Sequence, residues 1–409
     1  MEKEQNQTII EYIQKHDKKY EKCGFSTKCC HIGQEPDYVT GAVNPAIQLS
    51  STFAQHEPGV PYGPYDYSRA GNPTRSNLER LISGLESAKH SLVWSSGMAT
   101  MMGIIHLLKT GDEVICIEDV YGGTQRYFKK ISSIQQGIVF KFMSFDDIEE
   151  VKKSYNENTK MIWLESPTNP TLKTVDLEEL VKITRSYRSD IIIVVDNTFM
   201  SPYNCRPLEY GVDIVVESAT KYIGGHSDLI MGMTSTNSND LQDKLYFIHK
   251  SIGAVPAPFD CYMAIRGIKT LSLRVERQNS NSMKIAQYLE TQPHVEKVFY
   301  PGLESSPYHK IAKKQQKGFG GIVSFVLKGD LNQTKKFISS LKIFTLAESL
   351  GSVESLVNHP GLMTHMSVPE DVRKYLGIGD GFIRLAIGIE EIEDLIEDLE
   401  NAFIGLEIN

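Results

Sequence analysis

Ser218-Ala-Thr-Lys221-Tyr-Ile-Gly-Gly-His-Ser-Asp228 decides how the rest of this chain is read. The apolar run before it, Val212-Asp-Ile-Val-Val-Glu217, predicts a buried strand that gives way to hydroxyl residues. A lone lysine after a strand is ordinarily a solvated surface group. Lys221 is set apart by the hydroxyls of Ser218 and Thr220 before it and by Gly224 and Gly225 after it. An amine in that setting can form a Schiff base with a carbonyl cofactor, while the hydroxyls contact a phosphate group.

Other stretches supply what such a cofactor needs. Ile191-Ile-Ile-Val-Val-Asp196 predicts a second buried strand, ending in a carboxylate. Beside a pyridine nitrogen, Asp196 would favour the protonated ring; taken alone, it reads equally as a structural strand-terminal aspartate. Ser95-Ser-Gly97-Met98 opens a helix after a short strand, so the N–H groups of Gly97 and Met98 suit a phosphate dianion. A simple helix cap explains the same four residues. Tyr67-Ser-Arg69 and Asp119-Val-Tyr121-Gly-Gly add cationic and aromatic groups. The flat ring of Tyr121 suits stacking, and its hydroxyl suits proton transfer. Together these groups describe a pyridoxal 5'-phosphate (PLP) site.

The order of elements places them. A helix is predicted over 74–87, with strands at 90–94, 113–117, 138–143, 160–165, 191–196 and 212–217. Helices are predicted from Gly97 to about 109, over 122–135, near 146–154 and over 176–188. This alternation implies an α/β fold with a mostly parallel sheet covered on both faces, its ligand lying beyond the carboxyl ends of the strands. From about 262 a long charged helix to about 291 leads to strands at 295–300, 321–328, 342–346 and 382–388 and a final helix. Ile389, Ile392, Ile396, Leu399 and Phe403 share one face of that helix, giving a smaller C-terminal α+β domain. The expected division is an N-terminal arm (1–65), a cofactor-binding large domain (66–261) and a small domain (262–409). The arm lacks a strong period and carries Pro36, Pro45, Pro58, Pro61 and Pro64, which suits a docking segment.

Bulk properties exclude other classes. At 409 residues the chain outgrows one hydrophobic core, and its net charge of −8 disfavours nucleic acid as a partner. The six cysteines show no C-x-x-C spacing and fit a reducing compartment, so a cytoplasmic location is expected. Cys116 lies in an apolar run and reads as a small buried hydrophobe. No apolar run approaches the ~18 residues of a membrane span. Lys317-Gly-Phe-Gly-Gly321 lacks the dinucleotide pattern, and His359-x5-His365 has the wrong spacing for common zinc motifs. Both histidines read as ordinary loop residues, and no metal site is expected.

From about Phe25 to Ile404 the chain resembles the cysteine/methionine-metabolism family of PLP-dependent enzymes. The resemblance rests on Ser51-Thr-Phe53, Tyr67-Ser-Arg-Ala-Gly-Asn-Pro-Thr-Arg75, Asp119-Val-Tyr-Gly-Gly-Thr124, Glu165-Ser-Pro-Thr-Asn-Pro170, Val195-Asp-Asn-Thr-Phe-Met-Ser-Pro-Tyr203, Ser218-Ala-Thr-Lys221 and Thr345-Leu-Ala-Glu-Ser-Leu-Gly351. It implies PLP-transferase fold type I, with Lys221, Tyr121 and Asp196 as catalytic groups. Tyr67, Arg69, Gly97, Met98, Tyr121, Asn169, Asp196, Ser218, Thr220 and Lys221 would hold the cofactor. Arg69, Tyr121, Arg126, Asn169, Glu348, Ser349 and Arg384 would meet the substrate, with Arg384 gripping its α-carboxylate. Arg126 reads equally as a solvated helix residue, and Glu348 as a charged loop residue. An arginine in an otherwise apolar strand, as Arg384 is, favours a ligand role on its own chemistry.

The resemblance further implies a homotetramer built as a dimer of dimers, with Tyr67 and Arg69 reaching a neighbouring subunit's site. The implied reaction is α,γ-elimination of L-cystathionine to L-cysteine, 2-oxobutanoate and ammonia, with sulfide release from cysteine or homocysteine as a side activity. Gly123 stands where family members acting on methionine carry a reactive cysteine. Met98 is more usual in members that catalyse γ-replacement on an activated homoserine ester. Ser352 and Ile223-Gly224 also depart from the commonest eliminating pattern, so γ-replacement stays the alternative.

Overall fold

Short runs rich in valine and isoleucine, most of them followed by a helical segment, build the larger of two main sheets. The structure, a computed structural model, describes residues 2–366 and 368–406. After a hairpin of β1 (Gln55–Glu57) and β2 (Val60–Pro61) come β3 (His90–Trp94), β4 (Glu113–Ile117), β5 (Val139–Met143), β6 (Thr159–Glu165), β7 (Ile192–Asp196), β8 (Ile214–Glu217) and β9 (Gly232–Thr236). The seven-stranded sheet has the order β3-β9-β8-β7-β6-β4-β5. Parallel ladders join β7 to β6, β6 to β4 and β4 to β5, whereas β9 is antiparallel to both β3 and β8. The α/β expectation holds, and each predicted strand of this sheet ends within two residues of its expected limits. β9 is the strand that periodicity misses. Gly232-Met-Thr-Ser-Thr236 is wholly buried yet mostly hydroxyl-bearing, so it offers no apolar run.

Packing divides the chain into two compact units, one formed by Met1–Leu107 and Asp213–Ser272, the other by Leu108–Val212 and Leu273–Asn409. In the first unit, helix Pro73–Glu86 begins at Asn72, whose side chain accepts from the N–H groups of Thr74 and Arg75. It buries Leu78, Leu81, Ile82 and Leu85. The N-terminal stretch contains a helix, Glu2–Tyr20, where no period was legible. Its sequence is rich in Glu, Lys and Gln, good helix formers that leave little amphipathic trace. Arg80 ties this region down, donating to Asp17 and, at 2.7 and 2.8 Å, to Glu35. Gly33, at φ +68°, passes so near helix Pro73–Glu86 that a Cβ would sit 2.2 Å from the Asn77 carbonyl oxygen.

In the second unit, Val114, Ile115, Cys116, Ile193, Val194 and Val195 are fully buried on parallel strands. Burial pushes the Cys116 thiol pKa well up, in keeping with a packing role. The long helix expected over 262–291 is instead two, Pro258–Ile268 and Leu271–Glu290. A five-stranded sheet follows: β10 (Val295–Phe299), β11 (Ile322–Leu327), β12 (Thr345–Leu346), β13 (Leu356–Asn358) and β14 (Phe382–Ala386), in the order β10-β11-β14-β13-β12. The final helix, Ile392–Ile404, buries Ile392, Leu399 and Phe403 against Phe325, Phe337 and Leu385, with Ile396 packed alongside. Ile389 precedes the helix and is exposed, so it leaves the predicted stripe.

Asp398, on the buried side of that helix, gathers the strand entry. Its carboxylate accepts from the backbone N–H groups of Lys342 at 2.9 Å, Ile343 at 2.8 Å and Phe344 at 3.2 Å. Asp398→Ala strips three partly or fully buried donors of their acceptor, a loss of about 3 kcal/mol. Scanning calorimetry of the variant should show a thermal midpoint about 5–10 °C lower, with Asp398→Asn falling between it and the parent.

Candidate active site

In the first unit, β8 delivers the chain to Ser218. Lys221 N donates to Ser218 O at 3.0 Å, and Gly225 N to Lys221 O at 2.7 Å, so a tight turn presents the lysine. Thr220 is stitched to Met231: Met231 N donates to Thr220 Oγ1 at 3.0 Å, and Thr220 N to Met231 O at 3.2 Å. Helix Gly97–Ile105 follows β3, and the Ser96 side chain caps it by accepting from Ala99 N at 3.0 Å. Gly97 and Met98 occupy its first turn. A Cβ on Gly97 would sit 3.3 Å from Ser218 Cβ, and one on Gly232 would sit 2.7 Å from Gly97 N. Gly97 therefore lets the helix start close in against Ser218, and Gly232 lets β9 pass close to the same first turn. Tyr67 and Arg69 pair with each other, the guanidinium 5.6 Å from the ring centroid, and both are exposed. Arg69 also donates to the Lys250 carbonyl.

The second unit assembles the remaining groups. Tyr121 immediately precedes helix Gly122–Tyr127, which carries Arg126, and its N–H donates to Glu165 Oε1 at 2.7 Å. Arg384, on β14 and only 2% exposed, donates through Nη1 to Asn169 Oδ1 and through Nη2 to Ser349 O, both at 2.9 Å. Ser349 adopts φ +92°, a conformation uncommon for a residue with a side chain, and its carbonyl is held by Arg384. Glu348 beside it is exposed. Burial pushes the Tyr121 phenol pKa up; the Arg126 and Arg384 charges pull it down, and that of Glu348 pushes it further up. Tyr121, Arg126, Asn169, Glu348, Ser349 and Arg384 are thus brought together within this unit.

Asp196 ends β7 in register with Glu165 at the end of β6. Parallel in-register neighbours project to one face, so two carboxyl groups share one poorly solvated place. Burial raises both, and Asp196 adds to the rise at Glu165, which is pushed well above the carboxylate range. Hydrogen bonds from Thr198 pull Asp196 down, its backbone N–H donating to Oδ1 at 3.0 Å. Of the pair, Glu165 is the more strongly raised and holds its proton longer, while Thr198 makes Asp196 the carboxyl that ionises first.

Glu165 is one residue to which sequence reasoning gave no role, although it stands at a strand's carboxyl end as Asp196 does. Asp119 is another: it is buried and accepts from the Thr168 and Thr171 hydroxyls beside Asn169. His359 and His365, read as loop residues, are both buried with defined partners. No sequence spacing marks these contacts, which join residues up to 196 positions apart.

A buried carboxylate at a strand end in one unit, and in the other a lysine on a tight turn and a glycine-opened helix beside a serine, are groups that a PLP-dependent enzyme uses. The Cys/Met metabolism PLP-dependent enzyme family matches residues 26–404, and the chain belongs to that family. Mouse (Mus musculus) cystathionine gamma-lyase is 51% identical over 379 residues, covering 92% of this chain and 94% of that protein. A cystathionine beta-lyase of Coxiella burnetii is 50% identical over 382 residues, covering 93% and 98%. The crystal structure of cystathionine gamma-lyase from Lactobacillus plantarum, complexed with L-serine, superposes with a TM-score of 0.91 at 39% identity, covering 94% of this chain and all of that one. The fold is that of PLP-dependent fold type I enzymes, and the cofactor is PLP.

The residues present fit that cofactor. The cradle that a Cβ on Gly97 or Gly232 would crowd lies at a helix N-terminus, where a phosphate gains from backbone N–H groups and the helix dipole. Asp196, the first of the pair to ionise, suits a pyridinium, whereas Glu165 holds its proton longer. Asp196→Asn should therefore keep the fold, by circular dichroism, while kcat falls at least several hundredfold. Glu165→Gln, which swaps one neutral group for another, should stay within about fivefold of the parent. Steady-state kinetics on both variants checks the assignment, and Asp196→Asn within about tenfold of the parent refutes it.

Proposed function

We propose that this protein cleaves L-cystathionine by α,γ-elimination, consuming water and releasing L-cysteine, 2-oxobutanoate and ammonia. The observation that carries the reading is the cluster of Tyr121, Arg126, Glu348 and Arg384 in one unit, in a chain about half identical to proteins named for this reaction. When bound, PLP supplies the electron sink that makes the substrate α-proton acidic. Lys221 Nζ is the base that removes the α-proton and then a β-proton. Arg384 grips the α-carboxylate, its fork oriented by Asn169 and Ser349. Tyr121 stays protonated through its raised pKa and so can give its proton to the departing sulfur. Met98, Gly97, Ser218 and Thr220 hold the phosphate, Tyr67 and Arg69 reinforce that grip, and Asn169 meets the ring oxygen. Glu348, with Arg126 nearby, receives the distal ammonium of cystathionine, which holds the bond between the γ-carbon and sulfur in register for elimination.

The product assay is the deciding test. Purified protein given cystathionine should yield mainly cysteine and 2-oxobutanoate, with slower sulfide release from cysteine or homocysteine. Glu348→Ala should raise KM for cystathionine more than for homoserine, which lacks the distal end. Homocysteine and pyruvate as main products would mean β-elimination. Faster γ-replacement of an activated homoserine ester would mean a synthase.

We further propose the cytoplasm as its location and a homotetramer, a dimer of dimers, as its working form. Six cysteines, none of them disulfide-bonded among the described residues, suit a reducing compartment, and among the described residues no helix is long and apolar enough to cross a membrane. The functional division remains an arm (1–65), a PLP-binding domain (66–261) and a C-terminal domain (262–409). Val39, Val43 and Leu49 on the arm are 86%, 81% and 68% exposed, an apolar surface suited to burial against a second copy. Arg69→Ala and Lys221→Ala subunits, each inactive alone, should regain activity when mixed, because some pairs restore one intact site. Absence of recovery after verified exchange means that each site is built within one chain.

A further inference from the structure

We infer that His365 is a positioning residue: its Nε2–H, donated to the Asn169 carbonyl, fixes the backbone from which the Asn169 side chain meets Arg384. The inference rests on the roles proposed above for Asn169 and Arg384 and goes beyond them.

His365 is 1% exposed and lies 3.1 Å from Asn169 O through Nε2. A carbonyl only accepts, so Nε2 must carry the hydrogen. In a neutral imidazole Nδ1 is then an acceptor, and the Thr364 hydroxyl, 2.8 Å away, can donate to it. One hydroxyl therefore sets the tautomer that the carbonyl requires. Burial keeps the ring neutral, lowering its pKa to about 4 despite the opposing pull of Asp119. The turn that carries the ring is itself held firmly. His365 N donates to Pro360 O at 2.8 Å, Arg373 Nη1 to Gly361 O at 2.8 Å, and Leu362 N to His359 Nδ1 at 3.1 Å.

Asn169 is consequently pinned at three points. Its N–H donates to Glu165, its carbonyl accepts from His365, and its side-chain oxygen accepts from Arg384. Removing the imidazole leaves a buried carbonyl without its donor and frees the peptide to rotate. The Asn169 side chain then no longer meets Arg384 squarely, and the arginine fork loses its set toward a carboxylate. A residue serving only to hold the loop would affect stability without touching either property.

The test uses purified holoenzyme and cystathionine, with four variants. His365→Leu should raise KM about tenfold, the worth of one hydrogen bond, while kcat moves less than about threefold. It should also alter the visible circular dichroism of bound PLP, a signal independent of turnover. His365→Gln keeps an N–H at similar reach and should return KM to within about threefold. Thr364→Val releases the tautomer and should raise KM about threefold, and it decides the matter if His365→Leu fails to fold. A lower thermal midpoint in His365→Leu with parental KM and dichroism would overturn the inference, as would His365→Gln no better than leucine. Asn169→Ala separates the two levels. Parental KM and dichroism there overturn the Asn169 role and this inference with it; altered values there with parental values in His365→Leu overturn the His365 inference alone.

Discussion

A guanidinium buried inside a small sheet is the interaction on which the second unit's share of the site depends. Arg384 sits in the middle of β14 with almost no solvent contact, where an uncompensated charge would cost several kcal/mol. Its contacts run in two directions, to the side chain at the end of one sequence motif and to the carbonyl of another. Because both acceptors are fixed, the plane of the fork is fixed, and a carboxylate can be met bidentately. Ser349 keeps its uncommon backbone angle in the same arrangement, which carries Glu348 beside it. One side chain thus holds both the Asn169 side chain and the backbone next to Glu348.

The second constraint is the narrow space at the ends of β6 and β7. Two carboxyls in register compete for charge where water is scarce, so the pair divides its labour. Glu165 holds its proton longer and serves as an acceptor for the Tyr121 backbone, while Asp196 ionises first. Strand register thereby assigns an electrostatic role and places an aromatic ring together, without further devices.

Much of this was legible because parallel strands announce themselves. Val114 to Ile117 and Ile193 to Val195 are continuous apolar runs, and the polar residue ending the second run stands out against them. Lys221 and Gly97 stood out through their neighbours. What escaped was structure held by hydrogen bonds without apolar periodicity. β9 is buried through threonine and serine pairing in a ladder, and the Glu2–Tyr20 helix rests on propensity. The break at Lys269-Thr270 is a local backbone event inside a sequence that reads as helical throughout. Glu165 and His365 act through partners far away in the chain, so no local pattern could reveal them.

The discontinuous first unit has a consequence for biosynthesis. β3 lies at one end of its sheet and pairs only with β9, His90 opposite Thr236, so its partner arrives 146 residues later (236 − 90). At about 5–20 residues per second, the ribosome takes roughly 7–30 s to cover that interval. During that time a strand containing Leu92, Val93 and Trp94, all destined for burial, waits with both edges unpaired. Such a segment invites aggregation and chaperone capture. The strand that closes it, Gly232-Met-Thr-Ser-Thr236, is itself poor in sticky side chains, which limits the hazard to one partner of the pair.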